Sequence, residues 1–115
     1  MLRKWKNNNK IHKVCIIAGK RIPFMRSSSH YMNLSLRQLM KPAMDGLIDE
    51  LKLEGKELGE VAVGAVNKHA YDFSLAREIV MDSKLSRSTP ATDLQKACGT
   101  SLEAAILLGN KRPDC

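Results

Sequence analysis

An α/β fold is what the apolar patterning of this chain predicts: strand, helix, strand, helix, strand, helix, with a mostly parallel sheet and a buried central helix. Three observations lead there. Val14–Ala18 and Val61–Val66 are short continuous apolar runs, and Ala91–Leu94 is a short run following Pro90; strands covered by helices on both faces read this way. Between them lie stretches whose apolar residues recur at three- and four-residue steps, the period of a helix with one buried side. The two kinds alternate, and alternation implies crossover connections between parallel strands. At 115 residues the chain is long enough for one domain with its own core.

The first thirteen residues stand apart. Arg3, Lys4, Lys6, Lys10 and Lys13 supply five of the nineteen basic residues, with no acid among them. Residues 14–115 then carry fourteen bases against twelve acids, so the formal charge of +7 belongs mainly to a tail. Such a tail can meet nucleic acid, acidic lipid or a phosphate-bearing ligand, but a solvated flexible arm is the expectation for residues 1–13. Nucleic-acid binding is not expected, because no reading motif accompanies the charge. The tail is acid-poor, with too few arginines and serines for a transit peptide.

Val14–Ala18, ended by Gly19, is expected to be the first strand, with Cys15 as packing. Lys20 to Asn33 reads as a polar loop containing Pro23, Ser27–Ser29 and His30. The next pattern, Leu36, Leu39, Met40, Ala43, Leu47, Ile48 and Leu51, marks one side of a helix with Ser35 as its N-cap. Pro42 removes a backbone donor and restrains the residues before it, so a kink or a fresh helical start is expected there. Gly55 and Gly59 bracket a turn before the strand at Val61–Val66. Asn67 to Phe73 reads as a loop with His69 on the surface; Ser74 is placed as the cap of a helix that buries Leu75, Ile79 and Val80.

The last stretch carries the chemistry. Gln95 to Asn110 sets Cys98 just before a small-residue turn and a helix, from Ser101, that is apolar on nearly every face. A helix of that composition is usually buried. Its first N–H groups lack intrahelical acceptors and carry partial positive charge, a setting that favours the nucleophilic thiolate. Gly99 and Thr100 leave room for a substrate beside those N–H groups, which can steady an oxyanion. The residues alone leave two readings open, a nucleophile and a small buried hydrophobe. Three cysteines without close pairing argue against a disulfide framework and for a reducing compartment. Scattered histidines and no C-x-x-C argue against a metal site, and no apolar run reaches membrane-spanning length.

The run QKACGTSLEAA, Gln95 to Ala105, resembles the nucleophile segment of the thiolases, a QxACGTGLEAA-like motif. Arg21-Ile22-Pro23-Phe24 is similar to the sequence after the first thiolase strand. Gly64-Ala65-Val66, then Lys68-His69 and Asp72-Phe73-Ser74-Leu75-Ala76-Arg77-Glu78, is similar to the second strand and second helix. The resemblance runs in order from about Val14 to Asn110 and implies the opening part of the first of two related α/β halves. It implies acyl transfer to coenzyme A through an acyl-cysteine at Cys98, with coenzyme A thioesters as substrates, no bound cofactor, and a role in fatty-acid metabolism. A cytoplasmic location is expected, with mitochondrial as the alternative.

Other features of the family do not transfer to residues here. The family's activating histidine lies in a Gly-His-Pro-like motif, absent from this chain, and its second cysteine in a Cys-x-Gly-like motif that Cys115 does not match. The family's coenzyme A pocket lies mostly in a loop domain with no counterpart here, so no coenzyme A-binding residue is assigned. Ser101 replaces a glycine of the motif, Met25 falls where smaller residues are frequent, and Pro113 stops the helix where the family continues it. The expectation is a truncated or frameshifted chain, or an excerpt, inactive alone. The alternative is a non-catalytic fragment acting through association. The resemblance implies a homodimer paired through the third strand, and a central helix without its cover would expose apolar surface.

Overall fold

Val61 and Val63 are buried and alternate with half-buried Ala62 and Gly64, so a short strand here places its two valines on one face. The computed structural model describes residues 14–111. The tail 1–13, Pro113 and Cys115 lie outside the described residues. Strand β1 (Val61–Gly64) pairs in parallel with β2 (Ala91–Leu94), in the register Val61 to Ala91 through Gly64 to Leu94. Helix α1 (Leu36–Leu51) precedes them, α2 (Leu75–Asp82) crosses between them, and α3 (Thr100–Asn110) follows. Two 3-10 turns, Ala70–Asp72 and Ala97–Gly99, lead into α2 and α3. Over the described residues the fold is thus α/β with a parallel two-stranded sheet and three helices.

The core lies where α1 and α2 meet the valine face of the sheet. Ile48, Val61, Val63, Leu75, Ala76, Ile79, Val80 and Leu85 form one buried cluster. Each large aliphatic member contributes about 1.5–3 kcal/mol by leaving water. Thr89, also buried, holds the Leu58 N–H through its hydroxyl at 3.1 Å. Arg77 clasps the chain before β2 by donating to the carbonyls of Thr89 (3.1 Å) and Arg87 (2.7 Å).

Local signals set α1. Ser35 and Gln38 form a reciprocal capping box, the serine hydroxyl taking the Gln38 N–H at 3.2 Å and the glutamine carbonyl taking the Ser35 N–H at 2.8 Å. The helix runs through Pro42 without a break. Pro42 is exposed, so its ring meets solvent and not the core, and neither a restart nor a break occurs.

Three expectations need correction. Val14–Ala18 is not a strand: it has no ladder partner, and Ile16 is 92% and Ile17 83% exposed. Its composition favours a strand, but pairing needs an adjacent backbone, and the sheet of the described residues has two strands only. The second run ends at Gly64, not Val66, because Val66 leaves the ladder and its carbonyl accepts from Gln95 Nε2 at 2.6 Å. Helix α3 is not buried. Only Thr100 on it is buried, and Leu102 is 68% exposed. It packs against β1 and meets the Val14 side chain at Gly109, while Leu102 and Ile106 stay exposed. The alternative expectation, that this helix exposes apolar surface, agrees with that outcome.

Candidate functional site

The site is built from β1 outward. Gly64 ends the strand on the face opposite the buried valines, directly against Thr100. A Cβ at Gly64 would run into both the Leu94 carbonyl oxygen and the Thr100 methyl, so only glycine lets the start of α3 sit this close to the sheet. Thr100 is buried, and its hydroxyl accepts the Lys96 N–H at 2.9 Å while donating to the Ala97 carbonyl at 2.7 Å. The Gly99 N–H closes onto the Lys96 carbonyl at 2.9 Å. These three bonds wrap a tight loop around Ala97 and Cys98.

The tightness shows in the backbone. Ala97 has φ 43°, in the left-handed region that residues with a Cβ seldom enter. Cys98, the next residue, is exposed and sits two positions before the first residue of α3. Gly99, the N-cap of α3, offers no side chain to the start of the helix, and the first helical N–H, that of Thr100, closes onto the Ala97 carbonyl; the helix N-terminus still carries partial positive charge. Lys96 and Glu103 form an ion pair of 2.6 Å, so the acid of the first turn is committed to a neighbouring cation. An exposed thiol at the start of a helix can attack a carbonyl, with the partial positive charge of the helix N-terminus nearby for the oxyanion.

Sequence reasoning missed three features of this site. Gly64, a glycine ending a strand, was the available signal of a close backbone approach. The Thr100 hydroxyl and the left-handed Ala97 carry no local signature. Ser74 does not cap α2 with its side chain. Asp93, from β2, accepts the Ala76 N–H at 3.1 Å and pairs with Lys68 at 3.1 Å; a strand residue does the work assigned to a preceding serine.

Neither of the two described histidines is brought to the thiol. His69 stacks on Tyr71 with centroids 5.2 Å apart, and His30 lies exposed in the turn before α1. Among the described residues no hydrogen bond joins Cys98 to a base, and no three His, Cys, Asp or Glu side chains form a metal site. Cys15 is exposed and free in the extended segment. An apolar groove of about 330 Å³ lies between α1 and the extended segment Lys20-Arg21-Ile22, lined also by Leu36, Leu39 and Met40 among others; Cys98 does not line it. At the far end of β1, Glu60 receives Lys111 and the Thr92 hydroxyl, and those hydrogen bonds hold its carboxyl below the usual carboxylate range. No helix of the described residues is long and apolar enough to cross a membrane.

The thiolase N-terminal domain family matches residues 14–111. A 3-ketoacyl-CoA thiolase of Shewanella baltica (strain OS155 / ATCC BAA-1091) is 28% identical over 104 residues, covering 90% of this chain and 24% of the relative. A 3-ketoacyl-CoA thiolase of Vibrio cholerae is 31% identical over 94 residues, covering 82% of this chain and 22% of the relative. The chain therefore spans about a quarter of the length of the curated relatives it matches.

Proposed function

This chain belongs to the thiolase family, and from that premise we propose that Cys98 is an acyl-accepting nucleophile for coenzyme A thioesters in fatty-acid metabolism. The single observation that carries the proposal is the exposed thiol on a bonded turn at the mouth of α3. In the reaction, the Cys98 sulfur attacks the 3-keto carbonyl of a 3-ketoacyl-CoA. The bond between C2 and C3 breaks, acetyl-CoA leaves with a proton gained at C2, and the acyl group stays on sulfur. The thiol of a second coenzyme A then takes the acyl group and returns the proton to Cys98. The partial positive charge at the N-terminus of α3 would favour the developing oxyanion.

Two proton transfers in that sequence need an acid and a base that Cys98 does not have as hydrogen-bond partners among the described residues. The proposal therefore gives this chain the nucleophile and no sustained turnover alone. With acetoacetyl-CoA and coenzyme A it should show no turnover above a Cys98→Ala control. Incubation with acetyl-CoA and peptide mass mapping should place the acyl adduct on Cys98 in preference to the equally exposed Cys15. An adduct shared evenly between the two thiols would remove the assignment. Free, exposed thiols at both positions fit a reducing compartment, the cytoplasm.

A second reading rests on a separate observation. Ile16, Ile17, Leu102 and Ile106 are large apolar residues in water, and exposed apolar surface of this kind marks association. In that reading the chain acts by docking on other thiolase chains, with β2 pairing across a two-fold axis. Sedimentation decides it: dimers or larger species support association, and a cooperatively folding monomer at all concentrations counts against it.

A further inference from the structure

Both strands of the sheet run the same way, so the segments that leave them emerge at one end, the end where open α/β sheets hold their reacting groups. The segment leaving β2 carries the Cys98 turn, and the segment leaving β1 carries Val66 and Lys68. Two side chains fasten one segment to the other. Gln95, the first residue after β2, donates an Nε2 hydrogen to the Val66 carbonyl at 2.6 Å, and Lys68 pairs with Asp93 of β2 at 3.1 Å.

The Lys68 pair acts within the strand, where Asp93 also holds the Ala76 N–H. The Gln95 bond falls at a different place. Ladder pairing of β2 ends at Leu94, and the bonds that cinch the turn begin at Lys96, whose N–H meets the Thr100 hydroxyl and whose carbonyl takes the Gly99 N–H. Gln95 stands alone between these two fixed stretches, and its side-chain amide supplies a fastening there. Ala97, in the left-handed region, comes two residues later, so a swing of the chain at Gln95 would pass directly to the sulfur. The side chain is exposed, and a hydrogen bond made in competition with water adds little to stability. What it fixes is direction, and a reacting group held in direction meets a lower barrier.

Resting on the acyl-transfer reading of Cys98, we propose that Gln95 is a positioning residue for that sulfur. Its amide yokes the exit of β2 to the exit of β1 and fixes the entry side of the turn, as Thr100 fixes the far side. The role is orientation alone, because a primary amide donates and accepts hydrogen bonds without ionising.

The test acylates the full 115-residue chain with acetyl-CoA beside its Gln95→Met and Gln95→Glu variants. Peptide mass mapping reads the ratio of Cys98 adduct to Cys15 adduct, the exposed Cys15 serving as the internal reference in every sample. Methionine keeps the length and loses the donor. Its ratio should fall about threefold to tenfold below that of the original chain, the scale of one net hydrogen bond, with the urea midpoint little changed. Glutamate as a carboxylate only accepts and so faces the Val66 carbonyl without a proton to offer; protonated, it donates again. Its ratio should be low at neutral pH and return towards that of the original chain as pH falls through the carboxylate range, which keeps the test decisive if Gln95→Met fails to fold. A ratio near one in the original chain removes the acyl-transfer reading and the role of Gln95 with it. A ratio well above one that both variants keep at neutral pH overturns the role of Gln95 alone. So does a loss that tracks a lowered urea midpoint and does not recover in Gln95→Glu on acidification, for then the bond merely holds the fold.

Discussion

Thr100 rests its methyl group against Gly64 at a distance that leaves no room for a Cβ, and its hydroxyl ties both sides of the loop that carries Cys98. One side chain therefore joins the sheet to the turn. Disturbing either residue should be felt at the thiol.

Gly64→Ala should destabilise the chain by about 1–3 kcal/mol, the usual cost of overpacking. Neither the Leu94 carbonyl nor the start of α3 can move aside without breaking the ladder or the turn. Urea denaturation followed by circular dichroism measures this; an unchanged midpoint would show that the sheet and α3 part freely.

Thr100→Val keeps the shape and removes both hydroxyl bonds. A loss of about 1–3 kcal/mol is expected, because the Lys96 N–H and Ala97 carbonyl are left without that partner. Thr100→Ser keeps the bonds and should recover most of it. The rate of Cys98 alkylation by iodoacetamide should change in the valine variant and return with serine.

Asp93→Ala removes the acceptor that β2 offers to the Ala76 N–H and to Lys68. Loss of a helix cap costs about 0.5–2 kcal/mol, and the ion pair adds to it. Ser74→Ala should be nearly neutral, since that hydroxyl makes no cap bond. Equal effects of the two substitutions would reverse this assignment of the cap.

Glu60 makes a prediction in pH. Its carboxyl titrates lower folded than unfolded, through hydrogen bonds from Lys111 and Thr92. Its stabilising contribution is therefore whole above the ordinary carboxylate range and is lost as pH falls through that range towards the folded value. Lys111→Met should flatten this acid-side loss of stability, and its effect at neutral pH should be small because Lys111 is half exposed. An identical acid limb in the variant would remove Lys111 from the account.

What was legible in the residues was local or periodic. Ser35 directly precedes the apolar stripe of α1, so it could be read as the cap before the helix was seen, though its reciprocal partner Gln38 was not. Leu75, Ile79 and Val80 could be read as one buried side because helical spacing alone groups them. The position of Cys98 before a helix was legible for the same reason. What escaped depends on residues far apart in the chain. Asp93 meets Ala76 only after β2 pairs with β1, and Ile16 shows the composition of a buried strand although no strand among the described residues pairs with it. Leu102 was expected inside because composition describes a preference for burial, and only the surrounding layers supply it.

The left-handed backbone at Ala97 bears on the acyl-donor encounter proposed for Cys98. Since the loop is already cinched by three hydrogen bonds, the sulfur's approach direction is chosen during folding and not during collision. Orientational freedom that a mobile thiol would surrender at the barrier has been given up beforehand, and Ala97→Gly, by loosening that hinge, would hand part of it back to the reaction step.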